Sequence, residues 1–305
     1  MTSAEPNLPK PTSVAMSSPP SAAAGRRRIG DLTVHPIGLG GMRLSIEGRP
    51  DRERAIATIR AAVESGAELI DTADAYHASA TDDGHNELLV ADALQALGNP
   101  PVLVATKGGK VRPGDGRWLA DGRPEHLRAA ARVSARRLGV DAIGLYQLHA
   151  PDPEVPFRES LEALSSLVDD GVALRLGVSN VTAAQLREAY AVLGPRLVAV
   201  QNELSPTALS SLDVLAVSEE LELAFLAWRP LGAVAAGDRG DDYGAVARSH
   251  GVSLQRIVLA WLLRLSPVLL PIPGSTRPET ARDSAAAAAL ELSAEDRARL
   301  ERSHG

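Results

Sequence analysis

The sequence predicts an α/β protein, a closed (β/α)8 barrel of the TIM type, with a short N-terminal β-hairpin closing its bottom. Short apolar segments alternate with segments of helical periodicity, and eight such pairs fit into roughly 260 of the 305 residues, as is typical of that barrel. The apolar segments are continuous, which indicates parallel strands buried on both faces. An open doubly wound sheet is the alternative, but no Gly-x-Gly-x-x-Gly follows the first predicted strand.

The first residues of the chain differ from the rest in composition. Residues 1–26 are rich in Pro, Ser and Ala and contain no long apolar run, so we expect a disordered tail. Two short extended pieces follow around Gly30 and Asp31, a pair that favours a tight turn, and they predict the hairpin. We expect residues 27–305 to form a single barrel domain.

Eight apolar segments, each bounded by polar or turn-forming residues, are predicted to be the barrel strands. In chain order they occupy residues 36–41, 68–73, 101–107, 142–149, 173–180, 196–201, 221–228 and 267–274.

Apolar residues spaced three and four apart predict the helices between these strands. In the first helix Ile56, Ile59 and Val63 share one face, and Gly66 marks the end. The same pattern recurs after each later strand. The predicted helices cover residues 51–66, 86–98, 124–139, 156–171 and 182–194, with further helices near 208–219, 242–250 and 253–265.

Composition excludes several classes of function. The net charge is −6 and the sequence has no basic stripe, so nucleic acid is not expected as a partner. The chain has no cysteine, which excludes disulfides, thiolate chemistry and Cys-ligated metals. No segment approaches the roughly 20 apolar residues that span a bilayer, and no signal-peptide run is present. We therefore expect a cytoplasmic protein that binds a small molecule and does not bind a membrane.

Polar or aromatic residues follow nearly every predicted strand. Taken alone, Asp71 suits a turn, Tyr76 a packing role and Lys107 a solvated loop. In a (β/α)8 barrel, however, the carboxyl ends of the strands meet on one rim, where active sites lie. Independent residues would not all fall on that rim, so the set indicates an active site. It comprises Asp71, Tyr76, Lys107, His149, Ser179, Asn180, Gln201, Asn202, Trp228, Arg229, Ser275 and Arg277.

Four of these residues form a coherent proton donor. A tyrosine with a pKa of about 10 is a poor acid at neutral pH unless its phenolate is stabilised, and Lys107 could supply that stabilisation. Asp71 could hold Lys107 charged, and His149 could orient the oxygen that accepts the proton. None of the four can supply electrons, so a redox cofactor is required.

Several motifs, in this order along the chain, resemble those of the aldo-keto reductases. They are IDTADAY with HNELLVADAL behind it, VATKGG, YQLH, GVSN, QNELSP, AWRPLG and PIPGS, and they extend over about residues 27–290. The resemblance implies a (β/α)8 barrel and an NADP(H)-dependent reductase of aldehydes or ketones. It also implies that Tyr76 is the general acid, that Lys107 lowers its pKa, that Asp71 pairs with Lys107 and that His149 positions the carbonyl.

The resemblance also implies a set of residues that bind NADPH. Ser179, Asn180 and Gln201 match the residues that hold the nicotinamide carboxamide, and Trp228 stands where the family usually has a tyrosine stacked on the ring. At the adenine end the match is looser, since Gly274 replaces a common lysine and leaves Ser275 and Arg277 to meet a 2′-phosphate. No metal is expected. The remaining positions implied in cofactor binding are Gly41, Met42, Asp71, Arg229, Pro230, Leu231 and Gly274.

Two further expectations concern the substrate, and two alternatives concern the function. Residues 77–85 are expected to form part of the pocket rim, and Trp118 is a candidate wall for a bulky or hydroxylated carbonyl compound. A lyase or aldolase that forms a Schiff base on Lys107 is one alternative. A regulatory subunit that binds the nicotinamide cofactor with little or no catalysis is the other.

Overall fold

The computed structural model describes residues 25–233 and 240–302. Its main sheet has eight parallel strands, one for each segment predicted from the sequence, so the α/β class and the strand set are confirmed. Numbered along the chain, these strands are β3 (Leu39–Gly40), β4 (Leu69–Asp71), β5 (Leu103–Gly108), β8 (Leu145–Leu148), β9 (Leu176–Ser179), β10 (Leu197–Glu203), β11 (Ala224–Trp228) and β12 (Leu269–Pro271).

The sheet closes on itself between its first and last strands. The backbone amide of Gly38 donates to the carbonyl of Pro271 at 3.0 Å, and the amide of Gly40 donates to Pro273 at 3.0 Å. A parallel bridge between Gly40 and Gly274 continues this seam. The molecule is therefore a closed (β/α)8 barrel, and the open doubly wound alternative is wrong.

The helices pack around the outside of the barrel. Among the described residues they are α1 (Arg52–Glu64), α2 (His85–Ala96), α3 (Pro124–Leu138), α4 (Phe157–Asp169), α5 (Ala183–Leu193), α6 (Leu212–Glu220), α7 (Gly240–His250), α8 (Leu254–Leu265), α9 (Pro278–Ala285) and α10 (Ala294–Arg302).

Helix boundaries follow local capping chemistry. Asp51 caps α1 by accepting from the amide of Arg54, and Thr182 forms a capping box with Gln185 at the start of α5. The helix expected near residue 208 begins only at Leu212, because residues before it form a tight turn closed by reciprocal bonds between Ser205 and Ala208. Helices α9 and α10 were not predicted.

The N-terminal hairpin covers the end of the barrel at which the strands begin, as expected. Its strands β1 (Arg27–Ile29) and β2 (Leu32–Val34) pair antiparallel. Ile29 and Val34 are 0% and 4% exposed and belong to an apolar cluster with residues of the barrel strands, including Leu69, Leu103 and Val198. The turn residue Gly30 has φ +59° and approaches the Val198 side chain so closely that a Cβ would lie 2.7 Å from it.

A second hairpin rises from the opposite end, directly after β5. It consists of β6 (Lys110–Val111) and β7 (Leu119–Ala120), which pair antiparallel. The sequence predicts no strand between the segment that ends at residue 107 and the helix that begins at residue 124. Glycines with positive φ at positions 114 and 116 form the turn between the two strands.

Two expectations from the sequence remain predictions. The tail of residues 1–26 falls almost wholly on residues 1–24, which lie outside the described part of the chain. The assignment of residues 27–305 to one domain likewise stays a prediction. Among the described residues, no helix combines the length and the apolar character needed to cross a membrane.

Candidate active site

A groove of about 800 Å³ opens at the carboxyl ends of the barrel strands. This is the rim on which the sequence placed the active site, and the volume suits a cofactor and a small substrate. Most of the predicted site residues line it, namely Met42, Asp71, Tyr76, His149, Ser179, Asn180, Gln201, Trp228, Arg229, Pro230, Leu231 and Gly274.

Lys107 lies beneath the groove floor and is fully buried. Its ammonium donates to Oδ2 of Asp71 at 2.7 Å, to the carbonyl of Thr72 at 2.9 Å and to Oη of Tyr76 at 3.0 Å. These bonds use all three of its protons. Burial acts to lower the pKa of Lys107, but the Asp71 carboxylate and Tyr76 outweigh it, so the pKa lies above its usual value and the group stays charged.

Tyr76 connects this buried pair to the groove. Its side chain is 5% exposed, and burial raises the pKa of its phenol although the nearby Lys107 ammonium acts to lower it. The net direction is therefore opposite to the depression expected from the sequence. Since Lys107 donates to Oη, the phenolic proton remains available for another acceptor.

His149 and Trp118 complete an aromatic cluster around Tyr76. The ring centroids lie 5.7 Å apart for Tyr76 and His149, 6.2 Å for Tyr76 and Trp118, and 6.0 Å for Trp118 and His149, all edge to face. Burial, with the charges of Lys107 and Lys110, holds the pKa of His149 well below its usual value. The imidazole is therefore neutral at physiological pH.

Three polar side chains, two in β9 and β10 and one directly after β9, form another wall of the groove. Ser179 Oγ donates to the carbonyl of Gln201 at 2.7 Å, and Gln201 Nε2 donates to Oδ1 of Asp71 at 2.8 Å. Asn180 has φ +58°, an uncommon conformation that its side chain stabilises by donating to the carbonyl of His149 at 2.8 Å. The amide oxygens of Asn180 and Gln201 accept no hydrogen bond from any described residue.

The loop after β11 forms the groove wall next to Trp228. Arg229 has φ +47° and pairs with Glu203 at 3.2 Å. Two groove residues other than glycine, Arg229 and Asn180, therefore have a positive φ. Contacts with neighbouring residues hold both in this strained backbone conformation. Pro230 and Leu231 follow Arg229 on the same wall.

The structure places three of the predicted cofactor residues away from the groove surface. Gly41 bonds through its amide to the carbonyl of Asp71, and Gly40 and Met42 line the groove beside it. Ser275 and Arg277 lie at the start of α9. There Ser275 Oγ donates to the carbonyl of Arg277 at 2.9 Å and so braces the helix start. Their contact with a 2′-phosphate stays a prediction.

The model of the "Aldo/keto reductase family" matches residues 36–304, which include every barrel strand and all the groove residues. The chain belongs to the aldo/keto reductase family. The expectation drawn from the sequence motifs is thereby confirmed at the level of the family.

Relatives of this aldo/keto reductase include oxidoreductases from a yeast and a bacterium. An uncharacterised oxidoreductase of Schizosaccharomyces pombe is 34% identical over 94% of this chain and 92% of its own length. A 6-dehydroglucose reductase of Novosphingobium aromaticivorans is 32% identical over 86% of this chain and 88% of its own. Among solved structures, an aldo-keto reductase of Klebsiella pneumoniae crystallised with NADPH is 25% identical, with a TM-score of 0.75 over 91% of this chain and 94% of that one.

Sequence reasoning missed part of the groove wall. Arg43 lies beside Gly274, where a Cβ would approach Arg43 Cγ to 3.2 Å, and Lys110 lies beside Trp118. The expectation that residues 77–85 form the rim is wrong, because none of them lines the groove. The β6–β7 hairpin takes that place. The sequence GGKVRPGDGRW has glycines on both sides of a short segment, and this pattern could have indicated the hairpin.

A pair of buried carboxyls lies behind the site. Asp74 is 9% exposed and its Oδ1 has no hydrogen-bond partner among the described residues. Burial, with repulsion from Glu87, raises the pKa of Asp74 well above its usual value. Burial likewise raises the pKa of Glu87, although Thr106 donates to it. The folded protein therefore binds a proton at Asp74 more tightly than the unfolded chain does.

Replacing Asp74 by Asn should stabilise the protein at pH 8. A carboxyl whose pKa is higher in the folded protein than in the unfolded chain adds stability at pH values below its unfolded pKa. That contribution is lost as the pH rises through the folded-state pKa. The amide has no proton to lose, so we expect Tm to rise by about 2–4 °C, as about 1 kcal/mol gives for a domain of this size. Thermal unfolding from pH 4 to pH 8 measures the effect.

The gain should become small toward pH 4, because that pH lies close to the pKa of about 3.9 of an unfolded aspartate, below which Asp74 is protonated in both states. Asp92→Asn is the matched control, because Asp92 pairs with Arg52 at the surface, both about half exposed. An equal Tm gain at both ends of the pH range would contradict the assignment of a proton to Asp74.

Proposed function

We propose that the protein is an NADPH-dependent oxidoreductase that reduces an aldehyde or ketone to an alcohol, with Tyr76 as the general acid. One observation carries the proposal: the buried Lys107 ammonium lies 3.0 Å from Tyr76 Oη at the floor of the groove. This places a fixed positive charge where a phenolate would form as the proton leaves.

The groove suits a dinucleotide. We assign the carboxamide end to Ser179, Asn180 and Gln201, because the free amide oxygens of the last two are acceptors for a carboxamide NH2. The indole of Trp228, on the adjacent wall, offers a flat face for stacking. When bound, the nicotinamide supplies the hydride that no side chain here can provide.

Tyr76 gives its proton to the carbonyl oxygen of the substrate. Its raised pKa keeps the phenol protonated at neutral pH, which is the form that a reduction requires. Two unit charges 3 Å apart at an effective dielectric of 20 attract by roughly 5 kcal/mol, so Lys107 stabilises the phenolate as it forms. Asp71 keeps Lys107 charged and aimed through the 2.7 Å bond.

His149 positions the carbonyl oxygen. As a neutral imidazole it can donate one hydrogen bond without repelling Lys107. Its ring lies edge to face with both Tyr76 and Trp118, so its orientation is fixed. The carbonyl oxygen would therefore accept from both Tyr76 and His149.

The assignment to NADPH over NADH rests on charge and on a relative. The Klebsiella pneumoniae structure was crystallised with NADPH. Arg43 lines the groove beside Gly274, and Arg277 comes directly before α9, three residues after Gly274 in the chain. Guanidinium groups bind phosphate through charge-assisted hydrogen bonds. We expect tighter binding of the cofactor that carries the 2′-phosphate.

The Schiff-base alternative requires an accessible neutral amine. Lys107 is 0% exposed, charged and engaged in three hydrogen bonds, which argues against it as a nucleophile. The regulatory alternative requires binding without turnover. The intact contact between Lys107 and Tyr76 favours catalysis.

Fluorescence titration tests cofactor binding, since Trp118 and Trp228 both line the groove. We expect NADPH to quench emission with a Kd at least about tenfold below that of NADH, a difference of about 1.4 kcal/mol. Trp228→Phe should remove much of the signal. Absorbance assays with a panel of aldehydes and ketones then test turnover. No binding of either nucleotide contradicts the proposal, and binding without turnover favours the regulatory alternative.

A further inference from the structure

Lys110 is a cation on the groove wall without an anionic partner in the described part of the chain. It lines the groove from β6, and its Nζ lies 5.8 Å from the ring centroid of Trp118. None of the ion pairs formed by residues 25–233 and 240–302 includes it, whereas Arg112 beside it pairs with Glu47 at 2.5 Å.

The other charged side chains around the groove either form ion pairs or lie at another end of it. Asp71 is committed to Lys107, and Arg229 pairs with Glu203. Arg43 lies beside Gly274, at the end where we place the adenosine part of the cofactor. Near Tyr76, His149 and Trp118, Lys110 is therefore the groove-lining cation that no carboxylate of residues 25–233 and 240–302 pairs with.

The pKa shift of Lys110 agrees with the lack of a carboxylate partner among the described residues. Burial, together with the positive charge of Lys107, lowers the pKa of Lys110 from its usual value. A lysine paired with a carboxylate would show the opposite direction. An anion bound here would therefore relieve a repulsion that no carboxylate in the described part of the chain compensates.

We propose that Lys110 is a specificity-determining residue that binds an anionic substituent, a carboxylate or a phosphate, on the carbonyl substrate. This inference rests on the proposed reduction at Tyr76 and names the class of substrate that the same site would take.

The backbone fixes the separation between this cation and the proton donor. Lys110 follows Lys107 by three residues, and its strand β6 is pinned by pairing of Lys110 with Ala120 in β7. Trp118, in the same hairpin, is held by the Arg112 guanidinium 4.6 Å from its ring centroid. A substrate with its carbonyl at Tyr76 and its body against Trp118 would reach Lys110 with its far end.

Paired substrates that differ in one charged group test the proposal. We compare 4-carboxybenzaldehyde with benzaldehyde, and glyceraldehyde 3-phosphate with glyceraldehyde, in the wild type, Lys110→Met and the charge-retaining control Lys110→Arg. In Lys110→Met, kcat/KM for the charged member should fall about tenfold to a hundredfold, mainly through KM. The uncharged member should change less than about twofold, and Lys110→Arg should keep most of the preference. The substrate pair for which Lys110→Met no longer prefers the charged member identifies the anionic group as carboxylate or phosphate.

A binding measurement keeps the proposal testable even without turnover. Benzoate and the neutral isostere benzamide are titrated into the enzyme–NADP⁺ complex while tryptophan fluorescence is followed. Benzoate should bind the wild type at least about tenfold more tightly than it binds Lys110→Met, whereas benzamide should bind both alike. Equal benzoate affinity in both proteins overturns the proposal.

The two proposals fail in different ways. If the wild type reduces uncharged aldehydes but the charged-to-uncharged ratio is the same in Lys110→Met, the role of Lys110 is wrong while the reductase function stands. If no carbonyl is reduced but benzoate binding depends on Lys110, the anion site stands and the proposed reaction fails.

Discussion

Replacement of Tyr76 by Phe is expected to lower kcat for carbonyl reduction by about 10³-fold, within the range of general acid catalysis. The phenol lines the groove and accepts a hydrogen bond from the buried ammonium, with Oη 3.0 Å from Lys107 Nζ, and Phe removes that oxygen alone. Steady-state NADPH oxidation measures the rate, and fluorescence titration measures cofactor affinity, which should change less than about threefold.

Tyr190→Phe is the matched control, because Tyr190 lies on α5 and is 36% exposed. It should retain full activity. A Tyr76→Phe enzyme with wild-type kcat would show that the proton comes from another group, and His149 would then be the next candidate.

The second large effect is expected from Lys107→Met. Removal of the ammonium leaves the Asp71 carboxylate, 3% exposed, without its counter-ion, and breaking such a buried pair costs about 3–5 kcal/mol of unfolding free energy. Gln201 Nε2 still donates to Asp71, which recovers only part of the loss. Denaturant unfolding measures the stability, and kcat should also fall by at least about 10²-fold because the phenolate loses its stabilising charge.

The double variant Asp71→Asn with Lys107→Met separates stability from catalysis. Neutralising both partners removes the buried charge, so we expect stability to return to within about 1–2 kcal/mol of the wild type while activity stays low. Additive losses of stability in the double variant would contradict the description of Asp71 and Lys107 as one coupled pair.

The barrel and the contact between Asp71 and Lys107 could be predicted from the sequence because both depend on pattern. Continuous apolar runs indicated buried parallel strands, and parallel strands bring their carboxyl ends to one rim. Asp71 and Lys107 are far apart in the chain, yet each is among the last residues of its strand in β4 and β5. Their contact therefore follows from the topology.

The groove wall could not be predicted in the same way. Loop side chains take directions that no periodicity encodes, so Lys110 was missed and residues 77–85 were wrongly placed on the rim. Ser275 illustrates a second difficulty, because a hydroxyl at a helix start can cap the backbone instead of meeting a ligand. The direction of the Tyr76 pKa shift depended on depth of burial, which the sequence does not give.

Transfer of deuterium from NADPH tests the central claim most directly. NADPH that carries deuterium at both C4 positions of the nicotinamide is mixed with an aldehyde substrate and either the wild type or Tyr76→Phe, and the alcohol is analysed by mass spectrometry. We expect one deuterium on the carbinol carbon, formed about 10³-fold more slowly by Tyr76→Phe. Alcohol without deuterium, or equal rates for the two proteins, would contradict a hydride transfer completed by the Tyr76 proton.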